Sequence, residues 1–261
     1  MTFQPLLELP KLDFTILDRE LDRTKSRVFR GKNAAFLAPL MCNLLFRWND
    51  KIETAQTNGV WIEWSPYYFH FLHQAGRESI LVHELRHVAL MHMLRRGTRD
   101  PRIWNLACDT VLDNQMDLEG YCVDSTLFPP ELFPPSKTLL NHADYGTMAA
   151  EEIYDLMIKN PPPPPSGGGG GQPKLGLGQD LVEPSADDKG IHHQILNNVV
   201  SAVHAAKIAG EPGTVPGETE VTLKKFLSPK IPWEIVLHNF FQELGGEDYS
   251  WARPNRRYLG L

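Results

Sequence analysis

The stretch ILVHELRHVALMH, residues 80–92, limits what this chain can fold into more than any other. Ile80, Leu81, Val82, Leu85, Val88, Ala89 and Leu90 give it the apolar content of a helix built for a core, yet it carries His83, Glu84 and His87. Burying ionisable side chains is costly unless they are paired or bind a metal. Side chains four apart on an α-helix lie one turn above each other on nearly the same face. His83 and His87 can therefore aim two imidazole nitrogens at one point, about 2.0–2.1 Å from a zinc ion. Glu84 projects about 100° round the helix, close enough to touch a water at the ion without being a ligand. Zinc lowers the pKa of its water towards about 7, and a glutamate can take that proton as attack on a carbonyl begins. The plainer alternative is a structural pair of histidines with no ion.

Two histidines do not hold a catalytic zinc; a third ligand is needed, with one position left open. Asp109 is the first choice, 22 positions after His87 on the next predicted helix, RIWNLACDTVLDNQMDLEG. The Gly97–Pro101 turn lets that helix pack back. Asp113, one turn on, is placed to accept the other N–H of a zinc histidine. Asp113 itself, Asp117, Glu119 and His92 are rival third ligands. His70, His73, His142, His192, His193, His204 and His238 read as surface or satisfied core histidines. A developing oxyanion needs a donor besides the ion; Tyr145, His142 and Tyr249 are candidates among which the residues do not choose.

The chain has 261 residues, 42% hydrophobic and 22% charged, enough to bury a real core. A net charge of −6 argues against a general electrostatic nucleic-acid binder and disfavours a metal-dependent nuclease. Three cysteines at irregular spacing make no disulfide framework and no CxxC zinc site. No basic region followed by an apolar run opens the chain, and no apolar run is long enough to span a bilayer. A reducing intracellular compartment is the expectation.

Residues 17–30 read as a charge-laced helix and residues 33–48 as an apolar helical stretch with Asn33 as its cap. The Asn58-Gly59 pair signals a turn before a strand over Val60, Trp61, Ile62, Glu63 and Trp64. The helix with the histidine pair is expected over 76–95, the next over 102–119 with Gly120 as its stop. Residues 121–141, rich in Pro and Phe, read as a loop, and 145–159 as a helix. Then NPPPPPSGGGGGQPKLGLGQD breaks the composition; residues 160–188 read as a disordered insertion that cannot pack a core. Helices are expected to resume over 190–209 and from Pro232.

HELRHVALMHMLRRGTRDPRIWNLACDTVLDNQM, the strand TNGVWIEWSP and IPWEIVLHNFFQE…DYSWARPNRRYL resemble one family, the zinc metallopeptidases found N-terminal to a VWA-like domain in bacteria and phages. The Trp-Asn-x-Ala-x-Asp and Trp-Ala-Arg-Pro-Asn-Arg-Arg stretches make the resemblance specific, and it covers most of the chain outside the Pro/Gly segment. An acid-x-x-x-acid pattern on the helix after HExxH also follows the logic of the gluzincins, with aspartate in place of glutamate. The resemblance implies a zincin-like fold, one Zn2+ on His83, His87 and Asp109, Glu84 as base, a cytoplasmic location, and neighbourhood with MoxR-type AAA+ ATPases. Arg86 stands where the family is usually apolar, which points to a wetter helix face. The chain stops at Leu261, about where the VWA-like half would begin.

The expected architecture is α+β and mainly helical, with a small sheet packed on the HExxH helix. It divides into a catalytic region, 1–159, the insertion, 160–188, and a C-terminal helical part of the same domain, 189–261. The expected activity is zinc-dependent hydrolysis of peptide or protein, with Val60–Trp64 pairing with substrate as an edge strand. The alternative is a catalytically silent, zinc-stabilised adaptor working with an AAA+ ATPase or in a phage or bacterial assembly.

Overall fold

The computed structural model describes residues 11–121, 148–159, 180–182, 184 and 189–228. Contacts divide the chain into two units, 1–223 and 224–261. The first holds the sheet and all the described helices but the end of the last.

Helix α1 runs Phe14–Val28, its start capped by the Asp13 side chain, which accepts from the Thr15 N–H. It presents Leu17, Leu21, Thr24 and Val28 to the core at three- and four-residue spacing. Helix α2 is Ala34–Cys42, shorter than the helical stretch expected to Trp48. Leu45–Trp48 is instead strand β1. Asn33 sits at the N-terminus of α2 in the left-handed region, φ 61°, and makes no side-chain cap; its amide reaches Glu119.

Strand β2, Ala55–Thr57, turns through Asn58-Gly59 into β3, Trp61–Trp64. The Asn58 Oδ1 accepts from the N–H groups of Val60 and Trp61, closing the turn locally. Gly59 has φ 88°, and a Cβ there would stand 2.8 Å from the Ile195 side chain, so this turn admits only glycine comfortably. The sheet order is β1-β3-β2, with β1 parallel and β2 antiparallel to β3.

Helix α3 covers Pro66–Phe71 and α4 Gln74–Ala89. The expected helix over 76–95 breaks at Met91, which takes a left-handed φ of 54°, and the short α5, His92–Arg95, follows. Gly97 at φ 61° turns the chain into α6, Pro101–Leu118. Pro101 suits a first helical position, and Asp100 Oδ1 accepts from the N–H groups of Arg102 and Ile103. Gly120, at φ 81°, closes α6 where expected. Helix α7 is Ala150–Lys159, α8 Lys189–Ile208 and α9 Gly217–Leu227.

The architecture is thus α+β and mainly helical with a small three-stranded sheet. Helix α4 packs against α1, α2, α6 and β2, α2 against α8, and α6 against α7. The core gathers around α4, and Trp64, Phe69, Leu81, Leu85 and Trp104 are among its fully shielded side chains. No helix among the described residues is long and apolar enough to cross a membrane.

Two expectations about organisation need correction. Asp180–Val182, expected to lie within a disordered insertion over 160–188, pairs with β2 instead. Its composition reads as linker, and a single long-range pairing overrides that. Nor is β3 an edge: β1 takes one side and β2 the other, so Trp61–Trp64 offers no unpaired backbone to a substrate strand. The hydrophobic alternation that made it read as a strand is the pattern of a central strand as well.

Candidate metal centre

Helix α4 is enclosed along its last three turns. Leu81, Leu85, Val88 and Ala89 are buried, and so are His83, Glu84, Arg86 and His87. Its start is held by His73, whose Nδ1 accepts from the Gly76 N–H at 2.8 Å. The four-residue spacing brings Nε2 of His83 and Nε2 of His87 to 2.9 Å from each other. Helix α6 packs across them and delivers Asp109, whose Oδ1 lies 3.2 Å from His87 Nε2 and 3.6 Å from His83 Nε2. That oxygen is buried and makes no hydrogen bond. Donor atoms round a tetrahedral ion with bonds of about 2.0–2.1 Å stand roughly 3.3 Å apart. The observed separations straddle that value, so these three side chains fit such an ion.

A fourth side chain joins them. Asp180 Oδ2 lies 4.0 Å from His83 Nε2. His83, His87, Asp109 and Asp180 form a group that could hold a metal ion, one donor atom from each, all within 4.8 Å of one another. Two imidazoles and two carboxylates are a fitting set for a divalent transition ion.

The surroundings aim these groups. Asp113 Oδ1 stands 3.5 Å from His83 Nδ1, the relation expected for the partner of a metal-binding histidine. His87 has a different partner: its Nδ1 is 3.0 Å from His92 Nδ1. For His87 Nε2 to offer a lone pair, its proton must sit on Nδ1 and be donated to His92. His92 then carries its own proton on Nε2, a buried atom with no hydrogen-bond partner. Asn105, one turn before Asp109 on α6, donates from Nδ2 to Asp109 Oδ2 at 2.9 Å, leaving Oδ1 to face the histidines.

The electrostatics are those of a crowded, dry cluster. Burial pushes Asp109 up, with His83 opposing. Burial, and then the Asp109 and Glu84 charges, hold Asp180 well above the usual carboxylate range. Burial pulls His83 down, but Asp109 and Asp113 outweigh it and leave the ring well above its ordinary value. His87 is held well below by burial and by its neighbour His83. Glu84 is pushed up to about 8, chiefly by burial, and its Oε2 is buried with no hydrogen-bond partner. Acids forced together in low dielectric stay ionised only when positive charge is supplied, and a bound divalent cation supplies it.

The rival third ligands are accounted for. Asp117 is exposed. Glu119 pairs at 2.6 Å with Arg86, and His92 sits on the side of His87 away from the cluster's Nε2 atoms. Arg86 does not make the helix face wetter: it is buried, with Glu119 as counter-ion and its guanidinium 5.8 Å from the centre of the Tyr121 ring. Tyr145, His142 and Tyr249 lie outside the described residues, as do Cys122, the 121–141 loop beyond Tyr121 and the helix expected from Pro232. Sequence reasoning missed Asp180, Asn105 and the role of His92. For Asn105 the signal was available, since it stands four residues before Asp109 on one helix face. For Asp180 no local signal exists; it is an acid closing a glycine-rich run.

No curated protein and no solved structure matches the chain. A family model described as "Putative metallopeptidase domain" matches residues 18–260, nearly its full length, and the chain belongs to that family.

Proposed function

We propose that this chain is a zinc-dependent peptidase in which His83, His87 and Asp109 hold the ion, Asp113 orients His83, and Glu84 is the general base. The observation that carries the reading is the buried Glu84 carboxyl, whose Oε2 has no hydrogen-bond partner, beside the His–Asp cluster. An orphaned buried carboxyl is costly to keep, and the cost makes sense where the group moves a proton. When bound, the ion supplies Lewis acidity, acidifying a water and polarising the scissile carbonyl. Glu84 accepts the proton lost by the attacking water and returns it to the leaving amine. A base must be ionised at working pH, and a cation in the cluster would draw its elevated pKa of about 8 downward. Asn105 keeps Asp109 turned inward.

The test is Glu84→Gln in the full chain. Metal content should stay as in the parent, while cleavage of an unstructured protein substrate should fall about 10²–10⁴-fold. Unchanged cleavage would remove Glu84 from the chemistry. One observation favours a second reading, the silent zinc-stabilised adaptor. Asp180 brings the donor count to four, and closed four-ligand sites are the structural kind. Under that reading the parent chain cleaves nothing and Glu84→Gln changes nothing measurable.

A further inference from the structure

Asp180 offers a fourth donor to a cluster that hydrolysis requires to keep one position open. Residues 180–182 run beside the outer edge of β2. The Thr57 N–H donates to the Asp180 carbonyl at 2.8 Å, and the Val182 N–H donates to the Thr57 carbonyl at 2.9 Å, a parallel bridge centred on Leu181. The Leu181 N–H donates to Asn105 Oδ1 at 3.2 Å, and the Leu181 side chain is buried in the core. Thr54 Oγ1 donates to Asp180 Oδ1 at 3.4 Å, which leaves Oδ2 directed at His83. The segment thus meets the sheet edge through backbone bonds, an aliphatic anchor and one carboxylate on the metal cluster. These are the contacts an extended peptide makes when it adds to a sheet edge.

We propose that Asp180–Val182 is an internal inhibitory strap: its carboxylate fills the ion's fourth position, and the peptidase works below its full rate until the strap is displaced. This rests on the proposed peptidase function. The three other donors come from helices packed into the core, so they stay when the strap leaves. What leaves is one carboxylate, its place taken by water or by a substrate carbonyl, with no covalent bond made or broken. Asn105 serves both states, because it steadies Asp109 whether or not Leu181 is docked.

The experiment uses the full chain loaded with Co2+, whose visible absorption reports its ligands, and acetohydroxamate as a small chelating probe. Asp180→Ala should retain Co2+, change the absorption, and bind acetohydroxamate about tenfold or more tightly than the parent. Val182→Pro, which keeps the carboxylate but removes an N–H that holds the strap, should tighten probe binding in the same direction and by less. Should Asp180→Ala fail to fold, Val182→Pro decides. Parent-like absorption and probe affinity in both variants would overturn the strap. Loss of Co2+ from folded Asp180→Ala would also overturn it, making Asp180 a permanent ligand. A variant whose ion opens to the probe but cuts no peptide supports the strap and defeats the peptidase reading instead.

Discussion

Two regions of the molecule meet at the cluster, and they are built differently. His83, His87 and Asp109 stand on α4 and α6, helices with their own hydrogen bonds and with faces buried in the core. Asp180 stands on three residues of extended chain, held by bonds to Thr57 and Asn105 and by one leucine. The helix-borne groups cannot leave unless the core opens. The extended segment can leave at the cost of a few bonds, each worth about 1 kcal/mol net. A site assembled from both kinds of support has a permanent part and a removable one.

The widest contrast is expected in amide exchange. The N–H groups of Leu85 to Ala89 in α4 should exchange only on global opening, and those of Leu181 and Val182 by local opening, about 10⁴-fold faster. Equal protection in both regions would erase the distinction. Next is metal affinity: His83→Ala and Asp109→Ala should each weaken binding on the order of 10³-fold, read by chelator competition. Asp180→Ala should cost far less. A smaller effect separates two leucines of similar burial, Leu85 at 0% and Leu181 at 4% exposed. Leu85→Ala should destabilise the chain by about 2–5 kcal/mol in urea titration, as core truncations do. Leu181→Ala should cost less than about 1 kcal/mol, because the segment opens on its own. Smallest is Asp113→Asn, which keeps the shape but removes the charge facing His83 Nδ1. Metal affinity should fall about 10–100-fold with the fold intact, and an unchanged affinity would strip Asp113 of its orienting part.

Much of the permanent part was legible. The spacing of His83 and His87 predicts their convergence because the helix period is a local property. The Gly97–Pro101 turn after the histidine helix and the Gly120 stop of α6 are equally local, and together they carry Asp109 to the histidines. The Asn58-Gly59 turn belongs to the same class. Where neighbours in sequence do not decide, reading failed: β1 was absorbed into the preceding helix because Leu45–Trp48 continues an apolar run without a break signal. Val60–Trp64 reads as an edge because a strand's place in a sheet is set by partners distant along the chain.

Arg86 shows the same limit from the other side. An arginine inside an apolar helix reads as exposed, yet Glu119, 33 residues away, makes its burial tolerable. Asp180 shows it most sharply, since the composition before it argues for a linker and only the pairing with Thr57 and Asn105 brings it to the cluster.

The sequence by itself determined that α4 and α6 are helices and the three inward donors they carry, because backbone period and end signals act over a few residues. Only the tertiary structure decided the fourth donor, the order of the strands and the partners of Arg86 and His87. Those depend on which surfaces meet across long stretches of chain, and no local pattern records that choice.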